Sequence, residues 1–74
     1  MADQSSKLRL VFGKRVRLMR RTREWSQEQL AERVGVHASY ISAIERGTES
    51  VSLDNAKRLA KEFKVSLAEL LEGL

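Results

Sequence analysis

The sequence has 74 residues, of which 42% are hydrophobic and 32% are charged, so its composition is that of one small globular domain and not of a disordered chain. Cysteine is absent and there is one histidine, which excludes disulfides and thiolate metal sites and predicts that the protein binds no metal and no cofactor. The absence of proline favours an all-helical chain. The net charge of +4 favours an anionic partner.

The first predicted helix runs from about Ser6 to Arg23, after residues 1–5, which we expect to be flexible. Its core stripe consists of apolar residues three or four positions apart, namely Leu8, Phe12, Val16 and Met19. Gly13, a weak helix former, indicates that another helix packs closely there. Lysines and arginines crowd this segment, which fits a nucleic acid or an anionic membrane, although a solvated helix face explains them equally well.

Residues 25–47 read WSQEQLAERVGVHASYISAIERG and predict two short helices joined by a glycine turn. Ser26 and Gln29 have the spacing of a capping box for the first helix. Gly35 stands where that helix must end in a left-handed conformation. The second helix begins at Val36 or His37 and ends at Gly47.

A turn of about 100° per residue separates the second helix into two faces. The inner side carries His37, Ile41, Ile44 and, at its edge, Glu45. The outward face is small, polar and basic at one end, with Ser39, Ser42, Ala43 and Arg46, flanked by Ala38 and Tyr40. Two short helices joined in this way are typical of a helix-turn-helix, whose second helix enters a DNA major groove.

Two further helices are predicted after Gly47. Ser52 caps a helix from Leu53 to about Lys64, whose inner face is Leu53, Ala56, Leu59, Ala60 and Phe63. Ser66 and Glu69 form a second capping box, for a helix from Leu67 to about Glu72. Because so short a helix cannot bury all its leucines, we expect a homodimer interface that comprises Val51, Leu67, Leu70, Leu71 and Leu74. Alternatively, the four leucines complete the core of one chain.

The segments SQEQLA, VGV, SYISAIERG and VSLDNAKRLAKEFKVSLAELL resemble the helix-turn-helix domain of phage repressors and Cro-like regulators, the XRE family. The resemblance extends from about Phe12 to Leu71. It implies an all-α, compact five-helix, repressor-like fold over residues 6–74, with helices 2 and 3 as the helix-turn-helix and a C-terminal dimerisation helix. Short chains with a serine–leucine pair after the IERG loop also resemble the controller proteins of restriction-modification systems.

The family resemblance implies a transcriptional regulator that binds double-stranded DNA as a homodimer on an inverted-repeat operator. The expected base contacts come from the recognition helix, about residues 37–46, through His37, Ala38, Ser39, Tyr40, Ser42 and Ala43. The expected phosphate contacts are Ser26, Gln27, Arg46, Thr48, Ser50 and Ser52. The resemblance also pairs Arg20 with Glu45 in a partly buried ion pair.

Ala38 and Ala43 can only touch thymine methyl groups, so we expect DNA shape to contribute much of the discrimination between sequences. A protein-interaction or antitoxin-like adaptor with secondary DNA binding is the alternative function. A membrane-surface role for the first helix ranks low because its apolar stripe is needed by the core. We expect no enzymatic activity and no small-molecule effector. The expected location is the cytoplasm of a bacterium or phage host, in association with the nucleoid.

Overall fold

The computed structural model describes residues 4–74, with side chains from residue 6 onward, and it contains five helices and no strand within that range. The helices are α1 (Gln4–Thr22), α2 (Gln27–Val34), α3 (Ala38–Arg46), α4 (Leu53–Phe63) and α5 (Leu67–Leu70). The all-α, five-helix prediction is therefore confirmed. Residues 4 and 5 belong to α1, whereas residues 1–3 of the expected flexible segment lie outside the described residues. No helix between residues 4 and 74 is long and apolar enough to cross a bilayer.

The helix ends follow the local sequence signals. The Ser26 hydroxyl accepts a 3.0 Å hydrogen bond from the Gln29 amide, and the Gln29 side chain accepts from the Ser26 amide at 2.7 Å. Ser66 and Glu69 form the same reciprocal box at the start of α5. Gly35 ends α2 with a φ of 85°, a conformation that glycine adopts without steric cost. Gly35 thus sets the end of α2, three residues before α3 begins at Ala38.

One core joins all five helices. Its buried side chains are Phe12, Val16, Leu30, Ala31, Val34, Ile41, Ile44, Ala56, Leu59, Ala60, Phe63 and Leu70. The approach of α1 to α3 is closest at Gly13, where an added Cβ would overlap the Ile44 carbonyl oxygen and lie 2.9 Å from that of Glu45. The glycine therefore permits backbone contact between α1 and the C-terminal half of α3.

Two leucines predicted for the core are exposed instead. Leu8 is 47% exposed and Leu53 is 73% exposed, although their helical spacing puts them in line with buried residues. Both line an open groove that no other element of residues 4–74 covers. They belong to the apolar faces of α1 and α4, as their periodicity indicates, but no other helix of the described range packs over that part of either face. The prediction that they belong to the core of one chain is wrong.

His37 also departs from the inner side of α3 to which the helical wheel assigned it. The residue is the N-cap of α3, with φ −78° and ψ 146°, and its side chain is exposed. Helical periodicity begins only at Ala38, so an extended N-cap residue does not follow the wheel.

Candidate nucleic-acid interface

A buried ion pair connects α1 to the recognition-helix candidate, α3. Arg20 and Glu45 form two hydrogen bonds, from Nε to Oε2 at 2.7 Å and from Nη2 to Oε1 at 2.9 Å. Their side chains are only 10% and 4% exposed. The remaining nitrogen, Nη1, donates to the Trp25 carbonyl oxygen at 2.7 Å. The two residues that the family resemblance pairs thus form an ion pair between α1 and α3, and its geometry is bidentate.

The same pair extends to the start of α2. The Gln27 side chain donates from Nε2 to Oε1 of Glu45 at 3.2 Å. Hydrogen bonding to Glu45 raises the pKa of Arg20 above its ordinary value, and this effect outweighs the opposing effect of burial. Glu45 therefore links the last turn of α3 to the first residue of α2 as well as to α1.

The outward face of α3 is small and accessible. Ser39 and Arg46 are exposed, and so is the N-cap residue His37. The remaining base-contact candidates are half-buried, namely Ala38, Tyr40, Ser42 and Ala43. The Arg46 guanidinium donates from Nη1 to the Ser42 hydroxyl at 3.0 Å. The Arg46 side chain therefore lies along the surface of α3, one turn back toward Ser42. With so little side-chain bulk, the backbone of α3 can approach another surface closely.

Tyr40 has an additional role that the sequence analysis did not identify. Its hydroxyl accepts a 3.0 Å hydrogen bond from Nδ2 of Asn55, and its ring packs against the core. This contact fastens α3 to α4. No local pattern connects the two residues, because the pair depends on how the helices pack.

The candidate phosphate contacts come from the start of α2 and from the loop after α3. Ser26, Thr48 and Ser52 are exposed, whereas Gln27 is half-buried. The Ser26 and Ser52 hydroxyls accept from backbone amides as N-caps. A hydroxyl that accepts in this way still has its own proton to donate to a phosphate oxygen. Thr48 instead donates to the Ala43 carbonyl oxygen at 3.2 Å, which fixes the loop to the end of α3.

Ser50, another candidate phosphate contact, lies further along the same loop. Its side chain is exposed and lines the groove that also contains Leu8 and Leu53. Ser50 is therefore brought close to the apolar groove, whereas Thr48 is brought close to α3.

The single tryptophan is used in packing. Trp25 stacks on Phe63 with ring centroids 6.1 Å apart and an interplanar angle of 14°. The Arg33 guanidinium covers the ring at 4.1 Å from its centroid. The Trp25 ring therefore lies between the core residue Phe63 and the side chain of Arg33.

The groove is the second accessible feature of the molecule. It has a volume of about 460 Å³ and is lined by Leu8, Arg9, Phe12, Ser50, Val51, Leu53, Ala56, Leu71 and Leu74. Within it, Val51 and Leu71 are half-buried and Leu74 is 38% exposed. These side chains form an apolar surface between the start of α1, the start of α4 and the C-terminal turn.

The structure corrects the membership of the expected dimer interface. Leu70 is completely buried in the core, so it has no accessible surface to offer to a second chain. Leu67 is half-buried and packs against the same core. The helix thus seals the core with Leu70, while Leu67 and Leu71 are half-buried at the edge of that core.

Comparison with known proteins gives a consistent result. A helix-turn-helix family model matches residues 16–70. Control protein C.BamHI of Bacillus amyloliquefaciens is 44% identical over 69 residues, which cover 92% of this chain and 85% of the relative.

Two solved structures have the same fold. The restriction-modification controller protein C.AhdI from Aeromonas hydrophila matches with a TM-score of 0.81 and 39% identity over 84% of this chain and 94% of that chain. The biofilm regulator SinR, solved in complex with DNA, matches with a TM-score of 0.77 and 32% identity over 82% of this chain and 98% of that chain. The resemblance proposed from sequence is therefore confirmed, and the chain belongs to the XRE-type helix-turn-helix family.

Proposed function

We propose that this protein is a sequence-specific transcriptional regulator that binds double-stranded DNA as a homodimer on an inverted-repeat operator. In this proposal α3 enters the major groove, and the start of α2 and the loop after α3 contact the phosphates. Relatives named as control proteins, and the likeness to SinR in its DNA complex, support the DNA-binding part of the proposal.

The observation that best supports the proposal is that α3 is held in a fixed orientation while its outward face stays small and accessible. Arg20 and Glu45 fix α3 to α1, and Asn55 fixes Tyr40 to α4. A helix that was merely solvated would need neither constraint on its orientation. Held in this way, the face can meet base edges without first paying the conformational entropy of ordering.

The proposed contacts divide into two classes. His37, Ser39 and Ser42 meet base edges, and Ala38 and Ala43 meet thymine methyl groups. Arg46 contacts phosphates together with Ser26, Gln27, Thr48 and Ser52. Ser50 is left out of this set because it lines the apolar groove in which the homodimer is proposed to form. Gln27 lies on the first turn of α2, where free backbone N–H groups and the helix dipole favour an anion.

The homodimer is proposed to form through the apolar groove. A two-fold axis there brings the same leucines of two chains together, and it removes Leu8, Leu53 and Leu74 from water. The two copies of α3 then meet successive major grooves about one helical turn, roughly 34 Å, apart.

The DNA-binding surface is tested by chemical-shift mapping of the amide groups against a mixed-sequence duplex. The proposal predicts perturbations at Ser26–Gln29, at residues 37–46 and at Thr48. The exposed basic side chains of α1, such as Lys14 and Arg21, serve as the internal control. Perturbations confined to α1 would contradict the proposal, because they would indicate general electrostatic attraction without use of α3.

A further inference from the structure

The apolar groove has three walls, and they are not equally anchored. Leu8 and Phe12 form the first wall on α1, and Leu53 and Ala56 form the second on α4. Each of these walls belongs to a helix of 11 or more residues that contributes several side chains to the core. The third wall is the C-terminal turn, which we define as residues 71–74.

The C-terminal turn is held mainly by contacts close to it in sequence. It follows a helix of only four residues, α5, whose one buried residue is Leu70, and Leu71 packs against the edge of the same core. Gly73, with a φ of 78°, adds backbone freedom. Backbone amides of the turn donate to the carbonyl oxygens of Leu67, Glu69 and Leu71, but none of them donates to that of Leu70.

Arg15 connects this turn to α1. Its Nη1 group donates to the carbonyl oxygen of Leu70 at 3.1 Å and to that of Glu72 at 2.5 Å. The two acceptors lie on either side of Leu71, so one guanidinium group fixes the direction of the backbone that carries it. Hydrogen bonds from a cation to helix-end carbonyls are among the stronger ones in proteins.

We infer that Arg15 is the positioning residue of the dimer surface: by tying residues 70 and 72 to α1, it holds Leu71 and Leu74 in line with Leu8 and Leu53. Arg15 does not line the groove itself, so its effect on association passes through the C-terminal turn. This inference rests on the proposed homodimer.

The test compares Arg15→Met with Arg17→Met. Both variants remove one positive charge and keep a long side chain, but Arg17 is an exposed residue of the same helix. Sedimentation equilibrium over a concentration series is expected to show a dimer about tenfold weaker for Arg15→Met, or about 1.4 kcal/mol. Arg17→Met is expected to stay within twofold of the wild type.

Two further readouts separate positioning from general destabilisation. In a Leu74→Ala background, the effect of Arg15→Met should shrink, because the leucine that Arg15 positions is gone. By hydrogen exchange, the amides of Leu71 and Leu74 should exchange faster in Arg15→Met, while the amides of α2 and α3 keep their protection. Full additivity with Leu74→Ala, or unchanged exchange at both amides, would overturn the inference.

The sedimentation series also distinguishes failure of the proposed homodimer from failure of the inference about Arg15. A wild type that stays monomeric at every concentration overturns the proposed homodimer and the inference with it. A dimeric wild type whose association is unaffected by Arg15→Met overturns the inference alone.

Discussion

At the scale of single residues, burial and hydrogen-bond geometry decide what a charge contributes. Arg20 is an arginine among many in the first third of the chain, yet it is the one that is only 8% exposed. Its guanidinium donates to Glu45 and to the Trp25 carbonyl oxygen at once, so each of its three nitrogens has a hydrogen-bond partner. Removal of either partner would leave an unpaired charge in a region that excludes water.

Arg20→Met is therefore expected to destabilise the fold by about 3–5 kcal/mol, because it leaves the Glu45 carboxylate buried without its partner. For a domain of this size that loss lowers the Tm by more than about 12 °C. Thermal unfolding measured by circular dichroism checks it, with Arg21→Met, at an exposed neighbour, as the control. An unchanged Tm for Arg20→Met would contradict the structural role of the pair.

Gly13→Ala tests the close contact between α1 and α3. Alanine in a helix normally gains about 1 kcal/mol over glycine. Here the new methyl group overlaps the Ile44 carbonyl oxygen, and we expect a net loss of roughly 2 kcal/mol from overpacking. Urea unfolding gives the comparison, and Lys14→Ala at the next, exposed position should be nearly neutral. A more stable Gly13→Ala protein would show that the two helices can separate without cost.

At the scale of elements, the sequence predicted the helices well because their ends carry local chemistry. Ser26, Ser52 and Ser66 each cap a helix as expected, and Gly35 ends α2. The α3 face was also predictable from its periodicity, except at the N-cap. Contacts such as Asn55 with Tyr40 were not, because they join residues whose proximity arises only from helix packing.

Arg46 and Ser39 are proposed to make different kinds of DNA contact, so their substitutions should affect DNA binding differently. Arg46→Met removes a phosphate contact, so it should weaken binding on all duplexes and reduce the dependence of log K on log salt by about 1. Ser39→Ala removes a base-edge contact and should alter the ranking of duplexes with little effect on the salt dependence. Fluorescence anisotropy at several salt concentrations measures both effects.

Lys61→Met provides the matched control, because Lys61 is an exposed cation on α4. It carries the same charge change as Arg46→Met without a proposed DNA contact. An Arg46→Met protein that changed only the ranking of duplexes would mean that the two roles are reversed.

At the scale of the whole molecule, the groove is the region that the sequence predicted least well. Periodicity correctly marks Leu8 and Leu53 as apolar-face residues, but it cannot tell whether another part of the chain covers them. Conversely, Leu70 looks like its neighbouring leucines in sequence, yet it alone of the four is completely buried. Arg15, whose two carbonyl contacts are 55 and 57 residues away, has no local sequence signal at all.

Leu53→Asp should abolish the homodimer while it leaves the single chain folded. The side chain is 73% exposed, so the substitution creates no buried charge in the monomer. In the dimer the carboxylate would be desolvated in an apolar groove. Sedimentation velocity measures the assembly, and circular dichroism checks the fold. A Leu53→Asp dimer of undiminished strength would place the interface elsewhere.

The central claim is that two copies of α3 read an inverted repeat, and selection of bound duplexes from a random DNA pool at near-physiological salt, followed by sequencing, tests it most directly. We predict an enriched inverted repeat whose half-site centres lie about 10–11 base pairs apart. A pool that shows no enriched sequence, with binding that disappears as salt rises, would contradict the claim, because it would leave only electrostatic attraction to DNA.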